Sequence, residues 1–533
     1  MDKLPIYLRV HTEQDKPYIS KSKGQAFDHI LVFDTETWAD TKQEVRVGYF
    51  REYESGEFTD AKFFGPEDAR RNVERIAGAG AFISLDEFRG ILSHFAFRPR
   101  SLLIGFNVPF DVSRIAKRWR PAAGNYRGGI SFAIRGGSTS IRIKHIATAK
   151  SLIGFSGRSF GDTVKARVCD VQTLAKSLFS RGFSLAQLCE KLDVEHPKLE
   201  FEDYNGPINR QYLEYLKTDV ISTYECYTKL RDIWDSYNLH SVDESRVISE
   251  ASIGKALLAE IGVIPFMLQN DWEPELLGTI MNTFYAGRAE LHLRKQLANV
   301  VTLDFTSMYP TVCSKMELWQ YVIAEKIEHS DALEDVNRWL KRVEREGTNV
   351  LNDDNFWLFL PAICKVKPND DILPVRAKYA RVSRNIGVNY VSSSSPIWYT
   401  FADVVSSTLL RGKAPLILEA IKFEPVGQQK GLKTVDLLGR PEYAVDPYNA
   451  DLFRRLIELR MQTTGDDRLA IKIIANATSY GIYIEVITDT VKEHSVKFYG
   501  DTAHVMRLNK EERGGKYFNP ILATSITAAS RMM

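Results

Sequence analysis

No apolar run in this chain approaches the roughly 18 residues that a membrane-crossing helix needs. The opening stretch, MDKLPIYLRVHTEQDK, mixes charges where a secretory leader would carry an apolar core. Cysteine is scarce: Cys169, Cys189, Cys226, Cys313 and Cys364 are scattered, odd in number and form no CxxC pair. That excludes a disulfide scaffold and a zinc ribbon, and it fits reduced thiols in a cytoplasmic protein. Net charge is only +2, which excludes a uniformly basic nucleic-acid coat. With 44% hydrophobic and 26% charged residues the chain is neither disordered nor fibrous. Its 533 residues suit three or four domains at roughly 100–200 residues each.

One absence is local. From Val112 to Gly161 there is no Asp or Glu, while Arg114, Lys117, Arg118, Arg120, Arg127, Arg135, Arg142, Lys144, Lys150 and Arg158 all fall there. Trp119, Tyr126, Phe132, Phe155 and Phe160 are interleaved, and the alternation in SFAIRGG and TSIRIKHI predicts strands with one polar face. Two readings stand: a solvated basic sheet edge, where Lys and Arg discourage aggregation, or a groove that tracks phosphates and stacks unpaired bases.

Carboxylates cluster elsewhere. HILVFDTETW predicts a buried strand from Ile30 to Phe33 running into a D-x-E pair. Residues i and i+2 of a strand share a face, so Asp34 and Glu36 point together off its end, close enough to hold one divalent cation. D-x-E alone is common and is more often a solvated strand end. SLLIGFNVPFDVSRIAKRW then ends an apolar run in Asn107, Phe110 and Asp111 ahead of a helix. VCDVQTLAKS and FSLAQLCEKL give another strand and helix. QYLEYLKTDVISTYECYTKL predicts an amphipathic helix on which Tyr215 and Asp219, four apart, share one face.

D-x-E on a strand, then N-x-x-F-D, then Y-x-x-x-D, in this order, resembles the proofreading exonuclease domain of family B DNA polymerases. The resemblance implies a ribonuclease-H-like fold in which Asp34, Glu36, Asp111 and Asp219 ligate metal and Tyr215 helps orient the attacking water. Asn107 and Phe110 would touch DNA. Two Mg²⁺ (or Mn²⁺) ions per active site would activate water and stabilise the leaving 3′ oxygen. Mg²⁺ suits such a set, because it prefers a few carboxylates plus waters and phosphate oxygens over a closed cage.

The second half extends the resemblance. Tyr285-Ala286-Gly287 is similar to the linker that touches the template strand, with Tyr285 and Gly287 as DNA contacts. VVTLDFTSMYPTV resembles polymerase motif A: a buried strand ending at Asp304, which would bind metal, then a turn at Thr306 and Ser307 holding the triphosphate, then Tyr309 beneath the sugar. DLFRRLIELRMQ and DDRLAIKIIANATSYGIY resemble the fingers hairpin, with Arg460, Lys472, Asn476 and Tyr480 binding nucleotide. The family has one residue fewer between Asn and Tyr, yet Lys472, Asn476 and Tyr480 keep i, i+4, i+8 spacing on one helix face. The stretch from Glu328 to Asp354 is expected to be a charged, helical surface insertion.

The implied architecture is α/β and α+β multidomain. It comprises an N-terminal extension (1–29), a ribonuclease-H-like exonuclease (30–235), a connector with the YAG linker (236–300), a palm (301–450, insertion 325–355), a helical fingers hairpin (451–482) and a palm continuation (483–533), with the thumb absent. The second catalytic motif, Y-x-D-T-D-S, is missing. KFYGDTAHV offers Tyr499, Gly500 and Asp501 but precedes the helix that should come before that motif, so it is read as an insertion strand. The expectation is a truncated or split polymerase that binds primer-template, single-stranded DNA and dNTPs, with a second chain supplying the missing palm motif and thumb. A stand-alone 3′–5′ exonuclease using a polymerase remnant as a DNA platform, or a non-catalytic primer-template binding module, are the alternatives.

Overall fold

The computed structural model describes residues 5–12, 24–136, 139–159, 162–288, 290–378, 384–500 and 502–533. The chain forms two compact units: Lys21–Ala256, and a second made of Met1–Ser20 with Leu257–Met533. Of the stretch expected to be an extension (1–29), the described residues 5–12 belong with the second unit and 24–29 with the first, and the expected connector is likewise divided between the two.

In the first unit the strands are β1 (His29–Thr37), β2 (Val45–Glu54), β3 (Glu57–Gly65), β4 (Phe82–Ser84), β5 (Ser101–Gly105), β6 (Arg118–Pro121), β7 (Ile130–Arg135), β8 (Thr139–Ala147), β9 (Lys150–Ser159), β10 (Asp162–Thr163) and β11 (Arg167–Asp170). The helices are α1 (Arg70–Ala77), α2 (Leu85–Phe95), α3 (Val108–Ile115), α4 (Val171–Phe179), α5 (Leu185–Leu192) and α6 (Arg210–Ser236). A six-stranded mixed sheet runs in the order β11-β5-β1-β2-β3-β4, with β11, β5 and β1 parallel. Leu31, Val32 and Phe33 of β1 are fully buried, as expected of a central strand covered on both faces. The 27-residue α6, about 40 Å long, packs along β1, β2 and β5. The Phe64 and Phe88 rings stack at 3.7 Å within the core. A second, five-stranded antiparallel sheet runs β10-β9-β8-β7-β6.

In the second unit a four-stranded antiparallel sheet orders Lys326–Asp331, Leu416–Val426, Ala362–Lys367 and Ile397–Thr400. The region expected to be a helical insertion therefore opens with a sheet strand, whose His329 pairs with Phe423, and only Leu333–Glu346 forms the long helix. Backbone pairing with the long neighbour Leu416–Val426 outweighs the poor strand propensity of KIEHSD. A hairpin of Val486–Tyr499 and His504–Gly514 follows, and the short strand His11–Thr12 pairs with Tyr499 and Phe498. Tyr499 ends its strand, while Asp501 lies outside the described residues.

The helices Phe401–Arg411 and Pro520–Met532 are joined by a buried ion pair. The Arg531 guanidinium donates to Asp403 Oδ2 at 2.8 Å and to Oδ1 at 2.9 Å, with side chains only 5% and 3% exposed. It also donates to the Ala286 carbonyl. Removing one member strands a charge in the interior, at about 3–5 kcal/mol. Thermal unfolding of Arg531→Met should show a loss of that order, partly recovered by adding Asp403→Asn.

Candidate active site

Three parallel strands deliver their carboxyl ends to one place. The ladder between β1 and β5 ends at Val32 and Ile104, so Asp34 and Glu36 project beyond it. β5 leads into α3, with Asn107 in the left-handed region (φ 64°) turning the chain so that Asp111 falls in the first helical turn. β11 ends in Asp170, which accepts the N–H of Val108 at 3.1 Å and caps α4 through Thr173. Ligand sites at the carboxyl ends of parallel strands are the rule in such sheets. Gly105 has a steric reason to be glycine, because a Cβ there would sit 2.9 Å from Val108 Cγ2 and 3.3 Å from the Phe33 carbonyl oxygen.

α6 supplies the rest. Ligand oxygens of Asp34, Glu36 and Asp219 lie within 4.8 Å of one another. Asp111 joins them electrostatically and is fixed by Thr35, whose N–H (3.1 Å) and hydroxyl (2.6 Å) both donate to its Oδ1. Lys198 donates to Asp219 Oδ2 and, at 2.8 Å, to the Tyr215 hydroxyl. Asp219 Oδ1 is buried and has no hydrogen-bond partner among the described residues. An orphaned carboxylate oxygen facing other carboxylates is what a divalent cation site offers when only protein atoms are considered.

Electrostatics reflect the crowding. Burial and the charges of Asp111, Glu36 and Asp219 hold Asp34 well above the ordinary carboxylate range. Burial and Asp219 raise Glu36 to about 7, and burial raises Asp111 to about 7 against the opposing Thr35 hydrogen bonds. Burial also raises Asp219, with Lys198 opposing. Tyr215 is pushed up by burial and by Asp219, so it remains a neutral phenol at neutral pH. The surrounding cleft, about 500 Å³, is lined by Trp38, Asn107, Phe110, Tyr204, Tyr215 and the carboxylates, among others.

Lys198, Arg46 and Asp170 were not singled out from the sequence. Lys198 sits in HPKLEF, outside any periodic element, and nothing in that segment marks it. Arg46 is buried on β2, lies 4.0 Å above the Trp38 ring and donates to the carbonyls of Tyr204 and Gly206, bracing the loop on the cleft's rim. Asp170 had a signal in VCDVQT, where a strand ends in a helix-capping Asp.

The chain is similar in structure to Phi29 DNA polymerase. Against that enzyme complexed with primer-template DNA and incoming nucleotide, identity is 12% over 95% of this chain and 75% of the other, with a TM-score of 0.49. Against its complex with single-stranded DNA the values are 11%, 95%, 76% and 0.43. No protein-family model and no curated protein sequence matches the chain.

The second unit gathers part of the expected nucleotide set. Arg460, on the helix Leu452–Gln462, donates to the Ser307 hydroxyl at the start of the helix Met308–Lys315. The rings of Tyr309 and Tyr480 stack with centroids 5.0 Å apart. Lys472 and Asn476 are both exposed on the helix Gly465–Ser479. Tyr480 lies beyond that helix in extended conformation, so the three do not share a helix face; the extra residue is absorbed at the helix end. Gly287 stands beside Tyr309, since a Cβ there would lie 3.9 Å from its hydroxyl.

Two expectations are corrected. Tyr285 is fully buried and stacked on Tyr399 at 5.6 Å, so its side chain packs the core where an exposed ring was expected. The buried strand expected to end at Asp304 does not form: 300–305 has no ladder partner among the described residues, and Val300, Val301 and Leu303 are 83%, 86% and 89% exposed. Alternating Val and Leu favour a strand only when a neighbour takes up the backbone hydrogen bonds. Among the described residues Asp304 belongs to no metal-sized group of three ligands.

The raised carboxyls fix a sign for pH dependence. With Glu36 and Asp111 titrating near 7, the folded protein keeps protons that the unfolded chain has released. Their contribution to the stability of the metal-free protein is therefore fully present below the ordinary carboxylate range and is lost as pH rises through about 7. In EDTA the Tm should fall between about pH 5 and pH 8, and Mg²⁺ should restore it most at the upper end. A Tm independent of both pH and Mg²⁺ would contradict this electrostatic account.

Proposed function

We propose that this chain is a metal-dependent 3′–5′ DNA exonuclease housed in a chain of the family B polymerase type. The observation that carries the reading is the convergence of Asp34, Glu36, Asp111 and Asp219, with one Asp219 oxygen buried and unpartnered among the described residues. These four residues would hold Mg²⁺ or Mn²⁺, which supplies Lewis acidity for phosphodiester hydrolysis. Tyr215, held neutral, donates its O–H toward a water positioned against the terminal phosphate, and Lys198 both fixes Tyr215 and offsets charge on the phosphate. Asn107 and Phe110 line the path of the strand end, and half-exposed Trp38 offers a surface for a base. Water attack forms the new P–O bond as the bond to the 3′ oxygen breaks, releasing a nucleoside 5′-monophosphate.

A second reading concerns the second unit, which on this account binds a dNTP on a primer-template. The Arg460–Ser307 contact, the Tyr309–Tyr480 stack and exposed Lys472 favour it. Primer extension on this reading requires a further carboxylate beside Asp304.

The test is a 5′-labelled oligonucleotide, single-stranded or annealed as a primer, incubated with Mg²⁺ with and without dNTPs. The label should shorten stepwise from the 3′ end in both conditions, with Asp34→Ala and Asp219→Ala each slowing it by at least about a hundredfold. Hydrolysis undiminished in both variants would overturn the nuclease reading. Lengthening when dNTPs are added would show that Asp304 works without a further carboxylate from outside residues 1–533.

A further inference from the structure

The five-stranded sheet of the first unit has a face that the proposed hydrolysis does not use. Directly opposed residues of antiparallel strands point to the same side. The register aligns Arg120, Ser131, Arg142 and Gly154 across β6, β7, β8 and β9, and beside them Arg118, Ala133, Ser140 and Ser156. Lys144 and Arg158 follow on the same side by alternation along β8 and β9. The opposite side carries Ile141, Ile143 and Phe155, which pack into the core. One face about 14 Å wide thus presents five cations over a floor of Ser, Ala and Gly.

None of Arg118, Arg120, Arg142, Lys144 and Arg158 forms an ion pair among the described residues. Three other cations of the acid-free stretch behave differently. Lys117 pairs with Asp86, Lys150 with Glu250, and Arg114 is held by Gln43. Two further observations point to a ligand. The Ser131 hydroxyl, between Arg120 and Arg142 and only 3% exposed, has no hydrogen-bond partner among the described residues. Tyr126, raised by burial and opposed by the Arg142 charge, reaches over Gly154, where a Cβ would lie 2.3 Å from its hydroxyl. A solvated edge that only discourages aggregation would need neither.

We infer that this face binds the phosphate backbone of single-stranded nucleic acid, outside the cleft where hydrolysis is proposed. Small floor residues let the backbone approach, the cations replace its counterions, and Tyr126 supplies an aromatic surface for a base. The inference rests on the nucleic-acid reading above, but its test does not depend on hydrolysis.

The full chain is titrated with a labelled oligothymidylate in EDTA across a range of salt concentrations, and log affinity is plotted against log salt. Arg118→Gln/Arg120→Gln should lower the slope by about 1.4, and Arg158→Gln by about 0.7, while Arg71→Gln/Arg75→Gln on α1 should leave it unchanged. Circular dichroism of each variant checks folding, and Arg158→Gln, a single exposed change, keeps the test open if the double variant unfolds. Slopes equal to the parent's in folded variants overturn the proposal, and equal losses on duplex and single strand overturn the single-strand assignment. If the slopes fall as expected but no 3′ end is ever shortened, the surface stands and the nuclease reading falls.

Discussion

Four carboxylates share one buried site with a single ammonium group, and the architecture of the first unit is arranged around that imbalance. Left to themselves these groups would repel one another or take up protons. The fold holds them through constraints set elsewhere: β1 is clamped between two neighbours, Asp170 caps both helices that follow the parallel strands, and Thr35 gives two hydrogen bonds to Asp111. Lys198 answers only part of the charge, at Asp219. What remains is a concentrated negative field, suited to a small divalent cation and otherwise costly to keep.

The second unit is organised by the opposite sign. Arg460 and Lys472 belong to a helical hairpin packed on the helix that bears Tyr309, and no cluster of three acidic ligands forms near Asp304 among the described residues. Its buried ion pair, Arg531 with Asp403, serves packing and anchors the Ala286 carbonyl beside Gly287. The same chain therefore carries a crowded acidic centre in one unit and a cationic, aromatic surface in the other.

What could be read from the sequence follows the range of the forces involved. Asp34, Glu36, Asp111, Tyr215 and Asp219 were legible because each sits on an element with a clear period, and strand ends and helix faces convert spacing into direction. Lys198 was not, because an ammonium in a non-periodic segment reaches Asp219 only through the tertiary fold. The burial of Tyr285 and the lack of a strand before Asp304 were hidden for related reasons. Local pattern does not say whether a tyrosine will be covered, nor whether a strand-like run will find a partner for its backbone. The acid-free stretch was visible as composition, but only strand register sorted its cations onto one face.

Mn²⁺ binding, measured by electron spin resonance, shows directly whether the acidic cluster holds a divalent cation. The intact chain is predicted to take up Mn²⁺ with an affinity that rises with pH through about 7, as Glu36 and Asp111 lose their protons. Asp34→Ala/Asp219→Ala should abolish that uptake while the chain stays folded. Equal Mn²⁺ binding by the folded double variant would contradict the account, because the cation would then be held elsewhere.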